Sequence, residues 1–147
     1  MIKKIHDILI KEAIKAYNMG EVPISAVIVK DGKIISKAHN LKETKNSVIA
    51  HAEILAVEKV CKKINNWRLD GFDIYITLEP CSMCAAVLHQ SRIDNIYFFT
   101  RRENCGNFNL LNQILVEKNS NKNTKSQYIE YSDESKNLLQ DFFKNRR

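Results

Sequence analysis

The order in which the hydrophobic period changes along the chain limits the fold more than any single residue does. Apolar residues at 2, 5, 8, 9, 13, 16 and 17 recur at helical spacing and Gly20 is placed to stop the chain. The pattern predicts a first helix over 2–18 with a solvated polar face. Pro23 then opens Ile24-Ser25-Ala26-Val27-Ile28-Val29, a β-rich run ending at Asp31-Gly32, and Lys33 to His39 resumes as a second strand. A two-residue Asp-Gly junction between such runs predicts a hairpin. Residues 40–49 are polar and follow neither period, so they predict a loop. From His51 to Ile64 an apolar stripe of Ile54, Leu55, Val57, Val60, Cys61 and Ile64 predicts a helix. A third strand over 72–78, a short helix over 81–89 and a fourth strand over 93–100 follow. This alternation implies parallel β-α-β packing.

Residues 108–117 are weakly helical, and 118–126 form a polar run expected to be an exposed loop. Tyr128 to Tyr131 predicts a last short strand. Ser132, followed by Asp133 and Glu134, caps a final helix carrying Leu138, Leu139, Phe142 and Phe143. The sum is an α/β domain with a mixed sheet of about five strands between helices. With 147 residues, 44% of them apolar, the chain suits one domain over 1–147 with one core. Four glycines and two prolines are too few for a collagen-like or low-complexity chain.

Lys and Arg outnumber Asp and Glu by 23 to 17, a formal charge of +6 that tilts the expectation toward a polyanionic partner, against the plainer reading of a solvated lysine-rich surface. Lys3, Lys4, Asp7, Lys11 and Glu12 interrupt the apolar run that a secretory signal needs. No stretch approaches the ~18 apolar residues of a membrane span. The expectation is therefore a cytoplasmic protein without membrane contact, whose Cys61, Cys81, Cys84 and Cys105 read as thiols or metal ligands rather than disulfides.

Two segments carry chemistry: His51-Ala52-Glu53 and Pro80-Cys81-Ser82-Met83-Cys84. Together they supply three borderline-soft ligands and one free carboxylate. A structural zinc site closes with four protein ligands, whereas His51, Cys81 and Cys84 make three and leave a fourth position for water, as hydrolytic chemistry requires. Glu53 is then the proton carrier. Residues two apart lie ~200° apart around a helix, so His51 and Glu53 converge only from a first turn. Cys81 and Cys84 share a face, and Pro80 suits a helix opening. Both segments are thus expected at helix N-termini, where roughly half a positive charge favours thiolates.

Taken singly, Cys-x-x-Cys could be a redox pair and His-x-Glu a helix cap. Cys61 falls on its helix's apolar stripe and reads as core, Cys105 as an unpaired loop thiol, and His6, His39 and His89 have no partner at ligand spacing. Taken jointly and in this order, the two segments match the zinc-deaminase signature His-x-Glu…Pro-Cys-x-x-Cys.

At this point the sequence resembles the bacterial tRNA adenosine deaminases of the cytidine-deaminase-like superfamily. The resemblance runs from about Glu21 to Phe99. It is carried by Glu21-Val22-Pro23, Ala26-Val27-Ile28-Val29, Asn40, His51-Ala52-Glu53-Ile54, Thr77-Leu78-Glu79-Pro80-Cys81, Met83-Cys84-Ala85 and Ser91-Arg92-Ile93. It returns at Asp141-Phe142-Phe143-Lys144-Asn145-Arg146-Arg147. The resemblance implies a three-layer α/β/α fold, a homodimer, one zinc ion per chain at His51, Cys81 and Cys84, Glu53 as proton shuttle, and Asn40 hydrogen-bonded to the nucleoside. It also implies a substrate: the adenosine at the first anticodon position of an arginine tRNA, converted to inosine. Phe142, Phe143, Lys144, Arg146 and Arg147 are candidates for contact with the tRNA anticodon stem-loop, with at least one of the two adjacent phenylalanines expected in the core. Two departures stand out: Ser25 where the family commonly has glycine, and 102–110, which lacks the usual Asp-x-Lys-x-Gly-Ala pattern. The alternative reading on the same fold is a free nucleobase or nucleotide deaminase acting on a base such as guanine; a redox dithiol protein is the rival from another class.

Overall fold

A computed structural model describes residues 1–102 and 124–145. Helix α1 spans Ile2–Asn18, and strands β1 (Ser25–Lys30) and β2 (Lys33–His39) form the expected hairpin. Asp31 and Gly32 take φ of 51° and 75°, the two positive values that a tight turn with the twist of its strands requires. Then come α2 (Ala52–Ile64), β3 (Asp73–Ile76), α3 (Ser82–Gln90), β4 (Asn95–Phe98), β5 (Lys125–Tyr128) and α4 (Glu134–Asn145).

The sheet order is β2-β1-β3-β4-β5. β1 runs antiparallel to β2 and β3, whereas β3, β4 and β5 are mutually parallel. Strand alternation sends Ala26, Ile28, Ile74, Ile76 and Ile96 to one face, where Ala56, Val57 and Val60 of α2 and Leu88 of α3 cover them. Val27, Val29 and Tyr75 face the other way, under Ile5 and Leu9 of α1. The result is the mixed sheet between helices that the period changes imply, five-stranded, in the three-layer α/β/α arrangement that the resemblance implies. Each fully buried Leu or Ile contributes about 1.5–3 kcal/mol. Cys61 sits half-buried at the margin of the α2 core rather than inside it.

Helix α4 packs on α1 through Tyr17 and Phe142, ring centroids 5.8 Å apart. The Ser132 hydroxyl accepts the Glu134 N–H at 3.2 Å, while the Asp133 carbonyl takes the first helical bond from the Asn137 N–H at 2.8 Å, so the cap falls one residue beyond the expected Ser132. Ser25 is fully buried; its hydroxyl donates to the Leu9 carbonyl at 2.6 Å and its N–H to Thr77 Oγ1 at 3.0 Å. The hydroxyl ties β1 to α1, which glycine could not do, while the backbone N–H ties β1 to the residue after β3.

The last strand departs from expectation. It lies at Lys125–Tyr128, not 128–131, so the end of the supposed polar loop 118–126 belongs to the sheet. β5 is the sheet's last strand, paired with β4 through its backbone, and its side chains are exposed or half-buried, so no apolar period marks it. The weak helix over 108–117, Cys105, Arg146 and Arg147 lie outside the described residues. No helix among the described residues is long and apolar enough to cross a membrane.

Candidate active site

Both chemical segments begin helices. His51 is the N-cap of α2, in extended conformation with φ −81° and ψ 151°, and Cys81 is the N-cap of α3 with φ −71° and ψ 173°. Each uses its carbonyl to accept the first helical hydrogen bond, from Leu55 at 3.0 Å and from Ala85 at 2.8 Å. The extended cap residue lets His51 point where a mid-helix residue could not. Its neighbour Glu53 then reaches the same space from the first turn. α3 starts just beyond the carboxyl end of β3, the edge of a parallel sheet where ligands characteristically bind.

His51 Nδ1 stands 3.7 Å from Cys81 Sγ and 3.4 Å from Cys84 Sγ. In a tetrahedral zinc site with bonds of ~2.3 Å to sulfur and ~2.05 Å to nitrogen, sulfur and nitrogen ligands lie ~3.6 Å apart. The observed spacings bracket that value, so the donor set and its geometry fit zinc through Nδ1 and two thiolates. Among the described residues the cluster has these three members, its ligand atoms all within 4.8 Å of one another.

Electrostatics agree with the ligand assignment. The Cys84 thiol donates to Cys81 and, with the His51 and Arg102 charges nearby, holds the Cys81 pKa down to about 4 against the opposing effect of burial. Cys84 is pushed up in turn by that hydrogen bond, by burial and by Glu53. The pair therefore shares one proton that a cation would displace. Burial, at 3% exposure, raises the Glu53 carboxyl above its ordinary value, outweighing the His51 charge and the hydrogen bonds that lower it.

A cavity of about 250 Å³ opens onto this cluster, lined by His51, Glu53, Asn40, Lys42, Arg102 and Phe143 among others. Asn40 is buried, its Oδ1 accepting the Lys42 N–H at 3.1 Å. A second cavity of about 390 Å³ adjoins the first across Leu78, Arg102, Leu139 and Phe143, and is lined further by Arg101, Lys136 and Tyr128. Phe143, 51% exposed, stands at both mouths, while Phe142 is 7% exposed against α1. One phenylalanine is core and the other is not, as their adjacency on a helix requires. Lys144 is exposed beside Phe143.

Sequence reasoning missed the Arg102 wall. Its backbone N–H donates to Glu79 Oε1 at 2.9 Å and its Nε to the Glu79 carbonyl at 2.7 Å, which tethers Arg102 next to Pro80 and Cys81. The paired arginines after the β4 run are the signal that could have found it.

The chain matches the family described as MafB19-like deaminase over residues 2–147. A solved structure from a study of A-to-I editing by tRNA:A34 deaminases at the wobble position of transfer RNA superposes with a TM-score of 0.67 at 39% identity, covering 68% of this chain and 77% of that one. A guanine deaminase from Bacillus subtilis gives a TM-score of 0.63 at 33% identity, covering 67% and 64%. Fold, site and these likenesses define a deaminase of the cytidine-deaminase-like class, an enzyme acting on C–N bonds. The tRNA-specific adenosine deaminases of Bacillus subtilis (strain 168) and Aquifex aeolicus (strain VF5) are each 41% identical to it, over 94% and 95% of this chain and 86% and 92% of their own lengths. Within the class, the chain belongs to the family of bacterial tRNA adenosine deaminases.

Proposed function

We propose that this chain hydrolytically deaminates adenosine to inosine at the first anticodon position of a tRNA, an arginine tRNA in particular, and does so as a cytoplasmic homodimer with one zinc ion per chain. The single observation that carries the chemistry is the convergence of His51 Nδ1, Cys81 Sγ and Cys84 Sγ at zinc-ligand spacing beside a buried Glu53. His51, Cys81 and Cys84 would hold the zinc ion, which would supply an acidified water at neutral pH, since zinc can bring the pKa of such a water to ~7.

The protein's own residues do the rest. Hydrolysis replaces the exocyclic amine at C6 of adenine by oxygen and releases ammonia, which requires a proton on the ring and another on the leaving nitrogen. Glu53 holds and moves that proton; burial raises its affinity for one, so it can take a proton from water and give it up to the base. Asn40, in the cavity wall, holds the nucleoside. The positive ends of α2 and α3 favour the thiolate form of the ligands.

A polynucleotide substrate is supported by the adjoining cavity. Arg102 and Lys136 suit phosphates, Phe143 offers a ring face for an unstacked base, and Arg101 lies over the Tyr128 ring with its centroid 4.5 Å away. The net charge of +6 points the same way. The likeness to the Bacillus subtilis guanine deaminase favours a second reading, a free-base deaminase on the same site. Zinc-loaded protein incubated separately with an ACG anticodon stem-loop, guanine and cytidine, reading ammonia and inosine by mass, decides between them. Inosine in the stem-loop is the expected result, and turnover of guanine alone overturns the proposal.

A further inference from the structure

We propose that Glu21 is a positioning residue for the nucleoside pocket, its buried carboxylate holding the turn that brings Asn40 and Lys42 into the cavity wall. The inference rests on the reading that this cavity takes the nucleoside.

Helix α1 ends in a left-handed glycine: Gly20 has φ 80°, its N–H donates to the Tyr17 carbonyl at 3.0 Å, and the Glu21 N–H donates to the Ala16 carbonyl at 2.9 Å. This closing turn fixes the direction in which Glu21 leaves the helix. Its side chain is fully buried. One carboxylate oxygen accepts the Glu43 N–H at 3.0 Å and the other the Thr44 N–H at 2.6 Å.

Residues 41–45 form a helical turn, with the Lys45 N–H donating to the Leu41 carbonyl at 2.9 Å. Such a turn leaves its leading N–H groups without partners of its own. Asn40 Oδ1 takes the Lys42 N–H, as an N-cap does, and Glu21 takes the next two from a distance of twenty-two and twenty-three residues. The Asn40 N–H donates to the Ile24 carbonyl at 3.0 Å, and its side-chain amide lies 3.5 Å from the Val22 carbonyl. Segment 21–24 and residues 40–44 are thus zipped together, and Val22, Ile24, Asn40 and Lys42 all line the catalytic cavity.

The charge has a reason to be there. Burial alone would push the Glu21 pKa up, but the Thr44 and Glu43 hydrogen bonds, with His39 nearby, bring it below its ordinary value, so the carboxylate is the form the fold selects. A neutral amide of the same shape offers one acceptor where the turn presents two donors. Glu21 touches neither the metal ligands nor the cavity wall itself, so its influence on catalysis runs through the turn that carries Asn40 and Lys42.

The test is a double-mutant cycle on zinc-loaded protein: Glu21→Gln, Asn40→Ala and both together, assayed on the anticodon stem-loop that the parent deaminates. Losing one such hydrogen bond is expected to raise KM about fivefold for Glu21→Gln, with kcat changed less than about twofold. Its effect should shrink well below fivefold once Asn40 is alanine. Zinc content should stay at the parent level, and amide exchange should quicken at Glu43 and Thr44 while α2 stays protected. Additive effects of the two substitutions, or an unchanged KM despite faster exchange at Glu43 and Thr44, overturn the proposal. Glu43→Pro deletes one of the two donors from the exposed side of the contact and leaves the Glu21 side chain itself unchanged. It serves if Glu21→Gln does not fold, with the same KM rise expected and an unchanged KM counting against. A parent that converts guanine but no stem-loop refutes the tRNA reading alone, and the cycle is then read on guanine.

Discussion

The Arg102 N–H donates to Glu79 Oε1 at 2.9 Å while Arg102 Nε donates to the Glu79 carbonyl, so the carboxyl ends of β3 and β4 are clasped at the lip of the catalytic cavity. An arginine tied in this way lines both cavities, and under the proposed function it would meet a nucleotide flanking the target base. Its loss should therefore be felt in binding more than in chemistry.

Arg102→Ala is expected to weaken stem-loop binding and to lower the slope of log affinity against log salt by about 0.7, one phosphate contact to a single strand. Fluorescence anisotropy across a salt series measures it. A slope identical to the parent's removes Arg102 from the interface.

Glu53→Ala should retain zinc and lose about 10²–10⁴-fold in turnover, the usual worth of a positioned proton carrier. Metal analysis together with single-turnover deamination checks both halves. Turnover at the parent rate means that protons travel by another route.

Zinc binding to stripped protein at pH 7 should release at least one proton, because Cys84 keeps its proton while Cys81 is held down to about 4, and a metal-bound water would add to the count. Calorimetry in buffers of different ionisation enthalpy counts it. Chelation should abolish deamination, and added zinc should restore it.

Phe142 and Phe143 should part company. Phe142→Ala removes a buried ring packed against Tyr17 and is expected to cost about 3–5 kcal/mol of stability. Phe143→Ala removes a half-exposed ring, so the melting temperature should hold while RNA affinity falls by about 1–3 kcal/mol if a base stacks there. Denaturant melts and binding titrations on both variants separate the two roles.

Acid should loosen the Asn40 turn through Glu21. Its carboxylate pKa is lower in the folded than in the unfolded chain, so between the two values the unfolded state binds more protons and stability rises with pH. The contribution is complete above the unfolded value of ~4.3 and disappears as pH falls through the folded one. Glu21→Gln should be missing this component when stability is followed by urea melts from pH 6 downward, and a parallel pH profile for parent and variant would contradict it.

Much of this molecule is written locally. The stripe from Ile2 to Tyr17, the Asp31-Gly32 hairpin and the apolar run before Pro80 each report a nearest-neighbour preference, and the structure places α1, β1, β2, α2 and α3 within a residue or two of where those patterns put them. His51, Glu53, Cys81 and Cys84 were legible because metal-ligand chemistry restricts residue type and spacing along the chain. β5 was misplaced because that strand is held through its backbone pairing with β4, which leaves no apolar period in its side chains.

What the sequence by itself determined is most of the elements and the three residues that converge as a candidate metal site. Only the tertiary structure decided that Glu21 would cap a turn twenty-two residues away, that Arg102 would be clasped to Glu79, and that Phe143 rather than Phe142 would face the cavity. Those pairings join residues distant along the chain by pairs of hydrogen bonds and by the rotation of one helix, and neither leaves a periodic trace in the order of amino acids.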